Sequence, residues 1–158
     1  ISTEQLGGNE EMIYAPISGE VKKLEDVKDD VFSSKMLGDG VAIEPSEGKV
    51  VAPIDGKVEM VFDTKHALGL VDNNGIELLI HVGLDTVELG GKHYTIHVNA
   101  GDEIKVGDLL AEFDMEAIKA AGYPLTTPVI ISNTDQYKTI EIVAKGSVSR
   151  QDELLKVE

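Results

Sequence analysis

The chain has 158 residues, of which 42% are hydrophobic, so it is long enough to form one domain with a substantial core. Its 14 basic and 29 acidic side chains give a formal net charge of −15, which disfavours binding to nucleic acid or to an anionic membrane surface and suits a basic protein partner. It contains no cysteine, which excludes disulfides and thiol nucleophiles, and no apolar run approaches the ~20 residues of a membrane-spanning helix, so we expect a cytoplasmic protein.

The first segment, residues 1–11, is polar and glycine-containing, and it lacks both an initiator methionine and the apolar region of a signal peptide. We interpret it as a flexible linker and expect the folded domain to span residues 12–158. We also expect the chain to be part of a longer protein, such as a permease that tethers it to the membrane.

Short β-branched and aliphatic runs dominate the rest of the chain and are separated by Gly, Pro, Asn and Asp. This spacing predicts an all-β fold, a compact antiparallel β-sandwich or barrel with one or two short helical segments. The clearest helix covers residues 115–121, with Asp114 as N-cap and Gly122 after its end, and residues 24–31 could hold another helical turn. The predicted strands are residues 50–52, 58–62, 68–71, 76–82, 95–98, 109–113, 129–131 and 139–144.

The pattern A-P-I-x-G-x-V occurs twice, at residues 15–21 and 52–58. Proline fixes φ and glycine permits a positive φ, so we expect each copy to be a turn that leads into a strand. Duplicated turns of this kind also occur in biotinyl carrier domains, whose modified lysine lies at a hairpin tip. Lys119, the corresponding candidate, falls inside the predicted helix, which disfavours that class.

His81 is a titratable residue in the middle of the predicted strand 76–82. Because alternate residues of a strand face opposite sides, Ile80 and Val82 belong to an apolar face, whereas His81 shares the other face with Glu77 and Gly83. The sequence therefore places His81 away from the core face of its own strand.

A second histidine, His66, lies on the preceding strand if the segment 72–75 forms a hairpin turn. A two-residue loop Asn73–Asn74 would place His66 directly opposite His81, about 5 Å away, and a loop Asn74–Gly75 would place it on the diagonal, about 7–8 Å away. Both registers predict that the two histidines share a face of the sheet. A three-residue loop would break this parity.

Two neighbouring imidazoles have three interpretations, namely a packing pair, a metal site and phosphoryl chemistry. A zinc site needs three or four protein ligands. Asp85, the obvious third ligand, lies four residues along the strand from His81, about 13 Å away. The residues alone leave all three interpretations open, and a zinc-dependent hydrolase or metal-binding sandwich that uses His66 and His81 remains the alternative function.

The segment GIELLIHVGLDTV, residues 75–87, resembles the active-site signature of the glucose-family enzyme IIA domains of the bacterial phosphoenolpyruvate-dependent sugar phosphotransferase system. That signature is Gly, two variable residues, three apolar residues, His, apolar, Gly, apolar, any residue, Thr and aliphatic, and every position matches. Residues 64–67 resemble the family's second-histidine segment, and residues 35–45 and 125–129 resemble further family blocks.

The resemblance implies a β-sandwich that relays a phosphoryl group and requires no cofactor. His81 would accept phosphate on Nε2 from the histidine-containing phosphocarrier protein and pass it to a cysteine of the IIB domain of a sugar permease. His66 would stabilise the phosphoryl group, and Thr64 would orient His66. The Gly83 carbonyl is a candidate partner for Nδ1 of His81, which would leave the Nε2 lone pair free.

A relay site needs a water-poor rim for docking. The apolar candidates for this rim are Val31, Phe32, Met36, Leu37, Phe62 and Leu68. Acidic side chains that could meet a basic face of the carrier are Asp29, Asp30, Asp85 and Glu88. A zinc ion that bridges His66 and His81, completed by another molecule, would compete with phosphorylation.

Overall fold

The structure, a computed structural model, describes residues 11–158. The predicted linker therefore lies outside the described residues except for Glu11, which already belongs to the first strand and pairs with Val157. The strands are β1 (Glu11–Tyr14), β2 (Gly19–Lys23), β3 (Asp39–Pro45), β4 (Lys49–Val51), β5 (Gly56–Val61), β6 (Ala67–Asp72), β7 (Glu77–His81), β8 (Tyr94–Ile96), β9 (Glu103–Ile104), β10 (Leu109–Phe113), β11 (Thr127–Ile131), β12 (Ile140–Ile142), β13 (Ser147–Val148) and β14 (Glu153–Val157).

The described strands form antiparallel sheets, which confirms the predicted all-β class. The largest sheet has eight strands in the order β13-β2-β3-β11-β7-β6-β5-β9, and two three-stranded sheets have the orders β1-β14-β12 and β4-β10-β8. Every predicted run corresponds to a strand, whereas β1, β2, β3, β9, β13 and β14 were not among the predicted runs. Strand β3 lies in the interior of the large sheet, where both faces are covered, so its sequence lacks the alternation that marks a half-exposed strand.

The two short helices are α1 (Asp30–Ser33) and α2 (Met115–Ala120). Asp114 accepts a hydrogen bond from the Ala117 N–H at 3.1 Å, and Gly122 adopts a φ of 93°, so both predicted helix boundaries are confirmed. The second predicted helical region resolves into a 3-10 segment, Leu24–Asp26, followed by α1. Lys119 lies within α2 and not at a hairpin tip.

The large sheet is covered by apolar side chains on both faces. Its inner face, with residues such as Ile80 and Val129, contributes to the main core. Residues of the opposite parity, such as Ile130, pack beneath the first 3-10 segment and α1 in a second cluster that includes Phe32 and Leu84. The second cluster holds α1 over the outer face of the sheet, next to the end of β7.

The two glycines of the duplicated motif are required for a different reason from the predicted one. Neither Gly19 nor Gly56 has a positive φ. A Cβ added at Gly19 would lie 2.0 Å from the Glu44 carbonyl oxygen, and one added at Gly56 would lie 2.0 Å from the Val71 carbonyl oxygen. Each motif therefore needs glycine because a neighbouring backbone approaches closely, and the prediction of a positive φ was wrong.

The hairpin between β6 and β7 also differs from the prediction. Ala67 is opposite His81, so neither predicted register is correct. The loop contains three residues, because the Asp72 N–H donates to the Ile76 carbonyl and the Asp72 carboxylate accepts the Ile76 N–H. In this register, strict alternation would put His66 and His81 on opposite faces of the sheet.

Candidate functional site

His66 and His81 nevertheless contact each other. Their ring centroids are 4.6 Å apart and the ring planes are nearly perpendicular. His66 lies just before β6 and directly after Lys65, whose φ of 62° is in the left-handed region, so the backbone at His66 is not bound by strand alternation. The His66 carbonyl still accepts a hydrogen bond from the Val82 N–H at 2.7 Å. The two histidines are therefore neighbours, as predicted. They meet because of the turn at the start of β6, and not because of the predicted hairpin register.

His81 is oriented by the turn that follows β7. Its Nδ1 lies 2.7 Å from the Gly83 carbonyl oxygen, the partner that the sequence suggested. A carbonyl can only accept, so Nδ1 carries the proton and Nε2 of the neutral ring keeps its lone pair. Gly83 has a φ of 88°, and a Cβ there would lie 2.5 Å from Thr86 Cγ2 and 2.9 Å from the Pro124 carbonyl oxygen. The turn that orients His81 therefore requires glycine at position 83.

His66 is more deeply buried than His81, with only 3% of its surface exposed. Thr64 Oγ1 lies 2.7 Å from His66 Nδ1, within hydrogen-bonding distance as expected. The Thr64 hydroxyl can donate to Nδ1, and in that tautomer Nε2 of His66 carries the proton and is a donor.

The environment favours the neutral form of both imidazoles. Burial, reinforced by the charge of a protonated His81, lowers the pKa of His66 to about 4, and a hydrogen bond to the Thr64 backbone acts in the opposite direction. Burial also lowers the pKa of His81, against the effects of the Gly83 hydrogen bond and then of Asp29 and Asp85. Both rings are therefore uncharged near pH 7, where an imidazole nitrogen is nucleophilic.

Two aromatic rings support the pair from the sides. Phe32 of α1 packs against His81 at a centroid distance of 4.9 Å, and Phe62 meets His66 edge-on at 5.6 Å. Phe32 is itself buried in the second core cluster, so it positions His81 and does not form an exposed rim. Leu68 is only 2% exposed and belongs to the main core, so its predicted place on a docking surface is wrong.

The remaining apolar candidates are accessible. Met36 is 75% exposed, Val31 and Leu37 are less exposed, and Phe62 is half-buried. Val87, which the sequence reasoning missed, is 47% exposed in the 3-10 segment Thr86–Leu89. The feature of the sequence that could have identified Val87 was its position in the signature, two residues after Asp85.

The acidic candidates lie on the same elements. Asp29 caps α1, because its Oδ1 accepts the Val31 N–H at 3.0 Å, and Asp30 is exposed in the first turn of that helix. Asp85 and Glu88 are exposed next to the turn that holds His81, and Asp85 has a φ of 59°.

The described residues do not complete a metal site around the histidine pair. Between residues 11 and 158 no group of three or more His, Asp or Glu side chains is arranged to hold a metal ion. Zinc could therefore use only His66 and His81 from this part of the chain, which is too few for the three or four protein ligands of a zinc centre. In the same part of the chain, no helix is both long enough and apolar enough to cross a membrane.

Comparison with known proteins agrees with the resemblance. Residues 11–137 match the family described as the phosphoenolpyruvate-dependent sugar phosphotransferase system, EIIA 1. The glucose-specific EIIA component of Staphylococcus epidermidis is 53% identical over 130 residues, which are 82% of this chain and 78% of that protein. The solved structure of glucose permease IIA from Mycoplasma capricolum superposes with a TM-score of 0.88 at 37% identity and covers 93% of this chain and 95% of that one.

The β-glucoside-specific EIIBCA component of Bacillus subtilis is 51% identical over 148 residues, 94% of this chain. The chain spans about a quarter of the length of this relative and of a second one, from Halalkalibacterium halodurans. The chain belongs to the EIIA 1 family of the phosphoenolpyruvate-dependent sugar phosphotransferase system.

Proposed function

We propose that Nε2 of His81 accepts a phosphoryl group from the histidine-containing phosphocarrier protein and passes it to a cysteine of a IIB domain. The observation that carries this proposal is the 2.7 Å contact between His81 Nδ1 and the Gly83 carbonyl, which holds the ring with its Nε2 lone pair free. Relatives described as EIIBCA components support a IIB domain as the recipient.

In the first transfer, Nε2 of His81 attacks phosphorus while the P–N bond of the donor phosphohistidine breaks, and the donor imidazole recovers the electron pair. In the second transfer, the thiolate of the IIB domain attacks phosphorus and the P–Nε2 bond of His81 breaks. His81 enters and leaves the cycle as a neutral ring with its proton on Nδ1. Burial, which lowers the pKa of His81, supports this cycle, because the unphosphorylated ring carries no proton on Nε2 near pH 7.

We assign His66 to the stabilisation of the phosphoryl group and Thr64 to the orientation of His66. A loose, metaphosphate-like transition state gains mainly from positioning and from donors to its equatorial oxygens. With Nδ1 accepting from the Thr64 hydroxyl, Nε2–H of His66 is such a donor beside His81. Because burial keeps the His66 ring neutral, it can donate to phosphate oxygens without repelling an approaching basic partner.

We assign docking to the exposed apolar side chains around the pair, flanked by Asp85 and Glu88. Met36 and Leu37 follow α1, whose Phe32 contacts His81, and Val87 lies next to Glu88 in the 3-10 segment Thr86–Leu89. A partner whose apolar patch is ringed by basic residues would complement this arrangement and exclude water from phosphohistidine. We place the chain in the cytoplasm, next to the other parts of an EIIBCA component such as that of its relatives.

The experiment supplies the protein with phosphoenolpyruvate, enzyme I and the phosphocarrier protein, with labelled phosphate. We expect one acid-labile, base-stable phosphate per chain, and none in His81→Ala. His97→Ala is the matched control, because His97 is exposed and contacts Glu112 on a different sheet. Undiminished labelling of His81→Ala would refute the assignment, and a dialysis-resistant zinc ion on an unlabelled protein would favour the metal alternative.

A further inference from the structure

Side chains from two other positions hydrogen-bond to the peptide that joins Val82 and Gly83. Two side-chain hydroxyls donate to the Val82 carbonyl, from Thr86 Oγ1 and from the Tyr94 phenol, each at 2.8 Å. The next carbonyl along the chain, that of Gly83, accepts from Nδ1 of His81. The hydroxyl pair is therefore one residue away from the group that orients the phosphoryl acceptor.

Tyr94 reaches this peptide from another sheet. It belongs to β8 of the sheet β4-β10-β8, whereas His81 ends β7 of the eight-stranded sheet. The Tyr94 side chain is 6% exposed, and its ring packs at a tilt against Phe113. This packing fixes the direction in which the Tyr94 hydroxyl points. Burial raises the pKa of the Tyr94 phenol, against a smaller opposing effect of the Thr86 hydroxyl, so the phenol stays protonated and able to donate at neutral pH.

The need for such a contact follows from Gly83. Glycine has the widest conformational freedom of any residue, and the turn here depends on a φ of 88° that this freedom allows. The two peptide planes that meet at Gly83 must therefore be held from outside. On one side the Leu84 N–H donates to the Pro124 carbonyl at 3.2 Å, and on the other side the Val82 carbonyl receives Thr86 and Tyr94.

We propose that Tyr94 is a positioning residue for His81: its hydroxyl, with that of Thr86, holds the Val82–Gly83 peptide so that the Gly83 carbonyl keeps the proton of His81 on Nδ1. The consequence for phosphoryl transfer rests on the function proposed above, whereas the consequence for the imidazole does not. A stronger contact between Nδ1–H and the Gly83 carbonyl makes Nε2 the sole nucleophilic nitrogen and places it in one orientation.

Tyr94→Phe removes the hydroxyl and keeps the ring against Phe113. In the unphosphorylated variant, nitrogen-15 chemical shifts should show a smaller share of the Nδ1–H tautomer of His81, and its pKa should fall because the Gly83 contact weakens. We expect the ratio of the Nδ1–H to the Nε2–H tautomer of His81 to fall about fivefold, and the rate of phosphate acceptance to fall by the same factor. Fivefold corresponds to ~1 kcal/mol, the net value of one hydrogen bond. Tyr14→Phe in β1, at the edge of a different sheet, is the matched control and should change neither.

Thr86→Val is the second variant, because it removes the other donor to the same carbonyl at nearly constant volume. It should shift the His81 nitrogens in the same direction as Tyr94→Phe. A lower melting temperature in either variant with unchanged His81 tautomer and pKa would overturn the proposal and leave Tyr94 a purely structural residue. If the shifts change as expected but the wild-type chain takes up no phosphate, the positioning role stands and the relay function fails.

Discussion

Gly83→Ala tests whether the turn after β7 both stabilises the domain and orients His81. The added Cβ would meet Thr86 Cγ2 at 2.5 Å and the Pro124 carbonyl oxygen at 2.9 Å, and the residue would keep a φ of 88°. A non-glycine residue with such a φ costs about 1–3 kcal/mol, and overpacking in a buried site adds about 1–3 kcal/mol. We therefore expect the free energy of unfolding to fall by about 2–6 kcal/mol.

Gly75→Ala is the matched control for the backbone term. Gly75 has a φ of 97°, but a Cβ there would meet nothing within 4 Å, so only the conformational cost of about 1–3 kcal/mol should remain. Urea unfolding of both variants measures the two free energies, and their difference isolates the steric contact at Gly83.

The functional readout of Gly83→Ala is the rate at which His81 accepts phosphate, measured below the unfolding transition. Relief of the two short contacts must move the Gly83 carbonyl, so the Nδ1 contact at 2.7 Å should lengthen and acceptance should slow. Gly75→Ala should accept phosphate at the wild-type rate. If the two variants lose the same stability, within ~0.5 kcal/mol, and accept phosphate equally well, the reasoning about Gly83 is wrong.

Three further predictions concern the histidines and the apolar residues around them. His66→Gln should slow transfer from His81 to the IIB domain more than acceptance from the phosphocarrier, and equal loss of both half-reactions in single-turnover assays would contradict its assigned role. Because the pKa of His66 is lowered to about 4, its contribution to stability should be complete above about pH 6.5 and lost as the pH falls towards 4, where the unfolded chain binds the extra proton. Urea unfolding between pH 7.5 and pH 4.5 should accordingly show a weaker pH dependence in His66→Gln, and an unchanged slope would argue against a depressed pKa. Leu68→Ala should cost about 2–5 kcal/mol of unfolding free energy, whereas Met36→Ala should cost less than ~0.5 kcal/mol and instead slow phosphate acceptance by weakening docking. The reverse order of stabilities would contradict the burial of Leu68 and the exposure of Met36.

Local patterns in the sequence were sufficient for much of the architecture. The alternation around His81 placed it away from the main core, and the structure confirms this, because its neighbours Ile80 and Val82 belong to that core. The caps Asp114 and Gly122 act within one helix, so their effect could be predicted without any distant residue. The signature around His81 also indicated the family, which the comparisons confirm.

Contacts that depend on strand ends and on distant segments were decided only by the tertiary structure. A loop of three residues in place of two shifts every pairing of the β6–β7 hairpin, and the histidines meet only because the chain turns at Lys65. Leu68 matched the composition of a docking rim, yet the actual register places it in the core.

The hydrogen bonds that position His81 show most clearly what the sequence determined and what only the tertiary structure decided. The sequence by itself placed Gly83 two residues after His81 and offered the Gly83 carbonyl as a candidate partner for Nδ1. It did not determine that the Tyr94 hydroxyl, on another sheet, donates to the Val82 carbonyl. Periodicity assigns a side chain to a face, but the packing of one sheet on another decides which buried carbonyl its hydroxyl reaches.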